Sequence, residues 1–200
     1  MTVTVITRYD HGMGRWEPDA QGRLATAAME LYLERGFEAT TVAEIAERAG
    51  LTERTFFRHF ADKREVLFAG GSALEDLLVS KVGEAPAALA PIEAMTTALI
   101  EVADIVFADR HEFARQRQAI IAANPDLQER ELIKLASLAS ATAGALRLRG
   151  VSDPAASLAA ETGIAVFKIA FARWVTDPGE RPLAPFIRES MDELKLVAAG

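Results

Sequence analysis

Residues 40–63 read TTVAEIAERAGLTERTFFRHFADK and decide the fold of the N-terminal part of the chain. The first half has apolar residues at helical spacing, with Val42, Ile45 and Ala46 on one stripe, and this run ends at Gly50. The second half, TERTFFRHF, crowds three phenylalanines among threonines, arginines and a histidine. Two short helices joined by a tight turn that contains glycine are typical of a helix-turn-helix unit.

Both predicted helices carry recognisable start signals. Thr41 and Glu44 form the T-x-x-E pattern of a capping box, and Thr52 can cap the second helix, which we expect to end near Phe60. Gly50 suits the connection because a sharp turn needs a positive φ, which glycine adopts without a steric clash.

The second helix has two chemically different sides. Phe56 and Phe60 lie four residues apart, so both can pack on Ile45 of the preceding helix. The opposite side carries hydroxyl, guanidinium and imidazole groups, which bind the phosphate oxygens and base edges of DNA. These residues are Thr52, Arg54, Thr55, Arg58 and His59. Lys63 adds a positive charge at the start of the next predicted helix, where a phosphate can bind. The pattern predicts DNA binding, and a solvated amphipathic helix pair is the alternative.

Composition and charge narrow the class of protein. The chain has 200 residues, half of them hydrophobic, and a formal net charge of −7, which argues against indiscriminate coating of nucleic acid. The segment from Arg48 to Arg64 is nevertheless basic, with five basic residues against two acidic ones. The sequence has no cysteine, which excludes disulfides, thiolate metal ligands and cysteine nucleophiles. No apolar run of ~18 residues occurs, so we expect a cytoplasmic protein without a membrane partner.

An enzymatic function is not predicted. HExxH, GxSxG, Walker and dinucleotide-binding glycine motifs do not occur, and Gly12-x-Gly14 has no strand before it. His111-Glu112 is an isolated pair without further ligands, and His11 also stands alone. We therefore expect no metal and no cofactor.

Helical periodicity continues along the rest of the chain, and no convincing strand pattern occurs. The sequence predicts an all-α fold of about nine helices: a flexible tail at 1–17, a three-helix helix-turn-helix domain at 18–64 and a larger helical bundle at 65–200. The first helix starts at Pro18 and ends at Gly36. The fourth runs from Lys63 to about Val82 through Gly70-Gly71, which indicates either close helix packing or a pivot. Later helices are expected at 91–109, 111–123, 126–149, 153–176 and 183–197.

Residues 41–67, TVAEIAERAGLTERTFFRHFADKREVL, resemble the N-terminal signature of the tetracycline-repressor (TetR) family of bacterial regulators. The resemblance implies phosphate contacts from Thr41, Thr52, Thr55, His59 and Lys63. It also implies that Glu53, Arg54 and Arg58 lie where family members vary to read different operators. Family members usually carry tyrosine where this chain has Phe57. Because phenylalanine cannot donate a hydrogen bond to a phosphate, we expect Phe57 to pack against sugar or core.

The bundle at 65–200 contains a helix with two apolar faces. Within residues 155–176, one face carries Ile164, Phe167, Phe171 and Trp174, and the other carries Leu158, Ala165, Ile169 and Ala172. A helix that is apolar on two sides must be covered on both, by its own subunit and by a partner. In the resembled family, two such helices from each subunit form a four-helix interface, which implies a homodimer. The candidate dimerisation residues are Ile164, Phe171, Trp174, Phe186, Ile187, Met191 and Leu194. A fully intramolecular core would satisfy the same pattern.

The resemblance further implies that the bundle encloses a pocket for a small inducing ligand. The candidate lining residues are Met95, Leu99, Phe107, Phe113, Arg117, Ile121, Leu135, Leu138 and Phe167. Arg117 is the polar candidate; plain core packing and a solvated arginine are the alternatives. The segment RQRQAIIAANPDLQER, the helix end LRLRG and the W-x-x-x-P-G pattern at Trp174 look like an actinobacterial TetR branch. That branch is linked to acyl-CoA-like ligands and includes regulators of mycofactocin genes.

These features predict a ligand-responsive transcriptional regulator, a repressor by family habit. We expect it to bind a palindromic DNA operator as a homodimer, with half-sites about 34–36 Å or a multiple apart, and to be released by a small hydrophobic effector. The alternatives are a helical small-molecule-binding protein without DNA function, or an enzyme.

Overall fold

The computed structural model describes residues 20–179 and 181–200. The predicted tail at 1–17 and the predicted helix start at Pro18 lie outside these residues. The described part of the chain forms nine α-helices and one 3-10 turn, which confirms the predicted all-α fold. The helices are α1 (Ala20–Arg35), α2 (Val42–Arg48), α3 (Glu53–His59), α4 (Gly71–Glu84), α5 (Pro91–Val106), α6 (His111–Ala122), α7 (Pro125–Leu148), α8 (Asp153–Val175) and α9 (Leu183–Ala199).

Helices α1 to α3 and the 3-10 turn Glu65–Phe68 form a small N-terminal unit, called the head below. Its core consists of apolar side chains from all four elements, including Leu24, Leu31, Ile45, Phe56 and Leu67. Since Val66, Leu67 and Phe68 are buried with the head, its packing extends beyond the predicted domain boundary at residue 64.

The predicted fourth helix from Lys63 to Val82 is wrong. The chain instead makes the short 3-10 turn, and Gly70 takes a left-handed conformation with φ of 85° immediately before α4 begins. A left-handed residue cannot continue a right-handed helix, and glycine reaches that conformation without the strain that a Cβ would cause. The glycine pair therefore separates two elements and does not bend a continuous one.

Helices α4 to α9 form the larger unit, called the body below. The long helix α8 packs against α5, α7 and α9, and its closest approach to α5 is at Gly163. A Cβ atom built on Gly163 would lie 2.3 Å from Cγ of Met95, so the two helices meet without space for even a methyl group. By length and composition alone, α8 could cross a membrane, with a mean hydropathy of 1.4, but its buried face has the packing of a core helix.

The head and the body are joined where α6 turns into α7. Ile120 and Ile121 at the end of α6 and Leu127 at the start of α7 are buried in the core of the head. A second contact is ionic: Glu65 of the 3-10 turn pairs with Arg130 and Lys134 of α7. Burial acts to raise the pKa of Glu65, but the hydrogen bonds from Arg130 and Lys134 lower it overall. The corner between α6 and α7 thus contacts the head through both apolar and ionic side chains.

Candidate DNA-binding site

The turn between α2 and α3 is held by an arginine from α1. Gly50 has a φ of 65°, and the Arg23 guanidinium donates to the carbonyl of Ala49 and, at 3.4 Å, to that of Gly50. A Cβ atom on Gly50 would lie 2.9 Å from Nη2 of Arg23. The positive φ thus favours glycine here, and the missing Cβ lets the end of the flexible Arg23 side chain approach without shifting.

Helix α3 has one buried apolar side and one exposed, mainly polar side, as the sequence predicts. Thr52 caps its first turn by accepting from the backbone N–H of Thr55 at 3.2 Å, and the side chains of Phe56 and Phe60 are buried under the helix. The outward side is exposed at Glu53, Arg54, Phe57, Arg58 and His59, and half-buried at Thr55. All nine predicted DNA-binding residues lie on α3, at its cap, or in the segments that immediately flank α2 and α3.

Ion pairs neutralise two arginines of the head that lie outside α3. Arg48 is paired with Glu30 and Glu34 of α1, at 3.2 and 2.9 Å. Arg64 pairs with Asp62 at 2.6 Å, and this hydrogen bond lowers the pKa of the Asp62 carboxyl.

Arg54 and Arg58 form no ion pair with any residue in the described ranges, so their charge is open to an external anion. Arg58 does lie close to its neighbour: its Nη2 is 3.4 Å from Nε2 of His59. Phosphate oxygens and guanine edges are the groups that such guanidinium donors bind in DNA.

Lys63 makes its contacts within the head, and its predicted phosphate contact stays a prediction. Its ammonium group lies 2.9, 3.2 and 3.1 Å from the carbonyl oxygens of Phe37, Glu38 and Thr40, and 4.4 Å from the centre of the Phe37 ring. An ammonium group has three N–H donors, and all three are used here. Tyr32 fixes the backbone of the same residue by donating to its carbonyl at 2.7 Å. Lys63 therefore positions the connection between α1 and α2.

Thr41 is the N-cap of α2 and forms the predicted capping box. Its backbone N–H and its hydroxyl both lie 2.9 Å from Oε2 of Glu44, and the N–H of Glu44 donates back to the hydroxyl at 3.3 Å. The backbone hydrogen bond from Thr41 lowers the pKa of the Glu44 carboxyl. A phosphate bound at Thr41 would have to share these donors with Glu44.

The candidate pocket residues are divided between the two cores in the described part of the chain. Met95, Leu99 and Leu138 are buried in the body core, whereas Ile121 belongs to the head core and Phe113 is 48% exposed. Leu135, Phe107 and Phe167 are half-buried beside the body core. Two open clefts, of about 430 and 530 Å³, occur in the described ranges, and Phe107 is the one candidate that lines either of them.

Arg117, the polar pocket candidate, lies at the junction of head and body. Its Nε donates to the Leu67 carbonyl at 2.8 Å, its Nη1 pairs with Glu131 at 3.2 Å, and its guanidinium lies 5.0 Å from the centre of the Phe68 ring. Burial lowers the pKa of Arg117, against the opposing effect of Glu131. In the sequence, the one signal for this contact is an arginine between the apolar Phe113 and Ile121.

Most of the candidate dimerisation residues are buried in the core of their own chain. Ile164, Trp174, Phe186, Ile187 and Met191 are buried in the body core. Phe171 and Leu194 are half-buried at its edge. These buried residues fill the interior of a single chain, and their role in dimerisation stays a prediction.

The opposite face of α8 is the exposed one. The exposed fraction is 69% for Leu158 and 58% for Ile169. Ala165, which lies between them in the sequence, and Ala172, which follows Ile169, are also exposed. Their spacing of seven, four and three residues places them on one stripe of the helix.

No local pattern in the sequence predicts three of the contacts that the structure shows. Arg23 and Tyr32 act over 26 and 31 residues of separation, which only the packed head brings together. His111, for which the sequence suggested no role, has Nε2 2.8 Å from the Trp174 carbonyl at the end of α8. The residues that the structure describes include no group of three or more His, Cys, Asp or Glu placed to hold a metal ion.

Comparisons with known proteins agree with this architecture. Residues 24–69 match the family of bacterial regulatory proteins called tetR, and residues 89–198 match the MftR C-terminal domain. The HTH-type transcriptional regulator TcmR of Streptomyces glaucescens is 42% identical over 76 residues, which cover 38% of this chain and 34% of that protein. The HTH-type transcriptional activator FasR of Mycolicibacterium smegmatis is 37% identical over 67 residues, covering 34% and 31%. The chain thus spans about a third of the length of these relatives.

A solved structure extends the likeness to nearly the whole chain. The TetR-family repressor FadR of Thermus thermophilus, in complex with lauroyl-CoA, has a TM-score of 0.53 at 23% identity, covering 87% of this chain and 92% of that one. At this identity the likeness shows a shared fold. Since the two family matches together take in the head and most of the body, the chain belongs to the TetR family of bacterial regulators, with a C-terminal domain of the MftR type.

Proposed function

We propose that the protein is a transcriptional repressor that binds a palindromic DNA operator as a homodimer and leaves it when a small hydrophobic effector binds. The single observation that carries the DNA-binding part is the outward side of α3. Arg54 and Arg58 are exposed there without an ion pair in the described ranges, on a helix fixed from below by buried Phe56 and Phe60.

The homodimer is supported by the exposed apolar stripe on α8. Leu158, Ala165, Ile169 and Ala172 are exposed along one side of a helix whose other face fills the body core, and the charged residues Glu161 and Lys168 lie at the edge of this stripe. Exposed apolar surface of this kind marks an interaction site, and a two-fold pair of identical stripes covers both at once. The proposed homodimer pairs through this face of α8, one of the two apolar faces between which the sequence leaves the choice open.

The effector is proposed to be of the acyl-CoA class. The supporting facts are the MftR-type C-terminal match and the fold shared with FadR, a protein whose structure contains lauroyl-CoA. Because Met95, Leu99 and Leu138 are closely packed in the body core, an acyl chain could enter there only if the helices of the body move apart.

The movement would reach the DNA through the head–body junction. Ile121 and Leu127 are shared with the head core, and Arg117 donates to the carbonyl of Leu67. An effector favours release only if it binds better to the conformation in which the two heads are wrongly placed for the operator. Gly70, at the boundary between the head and α4, lies where such a change of angle can occur.

The DNA-binding proposal can be tested by gel shift with fragments from upstream of the protein's own gene and with duplexes selected from a random pool. We expect binding that weakens steeply with salt and that is lost when Arg54 and Arg58 are both changed to Ala, since both guanidinium groups would face phosphates or bases.

The matched control changes Arg115 and Arg188 to Ala, which removes the same charge from exposed positions on α6 and α9. This control should bind like the unchanged protein. Equal loss of binding in both double variants would show a nonspecific charge effect. Failure of the unchanged protein to bind any duplex would favour a helical small-molecule-binding protein without DNA function.

A further inference from the structure

The reading side of α3 contains one large apolar side chain among its polar ones. Phe57 is 56% exposed, whereas Phe56 and Phe60 on the same helix are 0% and 5% exposed. Packing therefore explains two of the three phenylalanines of α3 and leaves most of the Phe57 ring in contact with solvent.

The Phe57 ring is supported from one side. Its centroid lies 5.5 Å from that of Phe56, with the two rings nearly perpendicular at 80°. An edge-to-face contact with a fully buried ring is favourable and restricts the motion of the exposed one. The helix thus presents a supported apolar surface.

The position of Phe57 on α3 determines which groups of a bound DNA duplex its ring can contact. Residues three and four apart share a face, so Phe57 lies beside Arg54 and Glu53, and the Thr52–Thr55–His59 strip lies on the other flank. Phe57 would therefore face the same groove as Arg54 when α3 binds DNA.

The major groove offers such a ring a particular partner. Base edges there present hydrogen-bond donors and acceptors, and the 5-methyl group of thymine is the apolar group among them. Phosphates offer nothing to a phenyl ring, which has no donor. We propose that Phe57 is a specificity-determining residue that contacts a thymine methyl group in each operator half-site. This inference rests on the proposed DNA binding by α3.

The test uses the full chain and a duplex selected from a random pool by the unchanged protein. Each thymine of a half-site is replaced in turn by deoxyuridine, which removes only the methyl group, and the symmetry-related thymine is replaced with it. At one thymine position we expect a loss of affinity of about 4-fold per half-site, or about 15-fold for both, because one methyl group leaves an apolar contact.

The Phe57→Ala variant identifies the contact. It should bind the selected duplex more weakly than the unchanged protein, and replacement of the critical thymine should change its affinity less than about 2-fold, since the partner of the methyl group is gone. Leu33→Ala, at a position on α1 that is 50% exposed, is the matched control and should keep the full sensitivity to deoxyuridine. Thermal unfolding of both variants checks that they remain folded.

The outcomes separate the two proposals. If the unchanged protein and Phe57→Ala respond alike at every thymine, the ring does not contact a methyl group and the inference is wrong, although DNA binding stands. If the unchanged protein selects no duplex at all, the proposed function fails first.

Discussion

At the scale of single residues, the head is fixed by polar side chains that reach across it to backbone carbonyls. Lys63 holds three carbonyls of the α1–α2 connection, and Arg23 holds the end of α2. Arg23 thus satisfies an acceptor at the C-cap of α2, and Lys63 satisfies acceptors of the connection that follows α1. The residues that present α3 to DNA are thus different from those that would touch it.

The Lys63→Met variant tests whether Lys63 stabilises the head. Removing the ammonium group leaves the carbonyls of Phe37, Glu38 and Thr40 without their donor, so we expect the free energy of unfolding to fall by about 1–3 kcal/mol. Arg54→Met, at an exposed position without an ion pair in the described chain, should change it by less than about 0.5 kcal/mol. Urea unfolding followed by circular dichroism measures both. Equal stabilities for the two variants would contradict the positioning role of Lys63.

The sequence predicted which residues of α3 face outward, because helical spacing and the buried phenylalanines determine that. It could not predict that Lys63 would point back into the head. The resemblance implies a phosphate contact for Lys63, whereas its contacts within the head come from residues more than 20 positions earlier in the chain. Contacts over such distances leave no local pattern.

At the scale of helices, the predicted boundaries agree with the structure within a few residues, apart from the fourth helix. Caps and turn residues such as Thr41, Thr52 and Gly150 account for that agreement. The break at Gly70 was missed because glycine is compatible both with a weakened helix and with a left-handed residue that ends one. Packing of the 3-10 turn into the head decides between them.

The contact between α5 and α8 gives a prediction at the same scale. In Gly163→Ala, the new methyl group would lie 2.3 Å from Cγ of Met95, which forces Met95 or one of the helices to move. We expect a loss of about 1–3 kcal/mol in the free energy of unfolding. Gly144→Ala on α7, where nothing lies within 4 Å of the new atom, is the control and should stabilise by about 0.5–1 kcal/mol. If both variants gain stability, α5 and α8 are not in close contact.

At the scale of the whole molecule, the proposed function requires two features together: the exposed side of α3 in the head and the exposed apolar stripe on the body. The sequence showed that α8 is apolar on both sides but could not say which side faces inward, because either choice satisfies its periodicity. The core formed with α5, α7 and α9 buries Ile164 and Trp174 and leaves Leu158 and Ile169 outside. Pairing through that stripe would set the distance between two copies of α3.

The most direct measurement compares Ile169→Glu with the unchanged protein, by mass in solution and by affinity for a full palindrome and for a single half-site. The unchanged protein should be a dimer that binds the palindrome about 100-fold or more tightly than the half-site, since one bound head brings the second into place. Ile169→Glu should be a monomer that binds both duplexes equally weakly. Ile105→Glu, at a position on α5 that is 50% exposed, should behave like the unchanged protein. A dimeric Ile169→Glu variant that keeps the full preference for the palindrome would contradict the account.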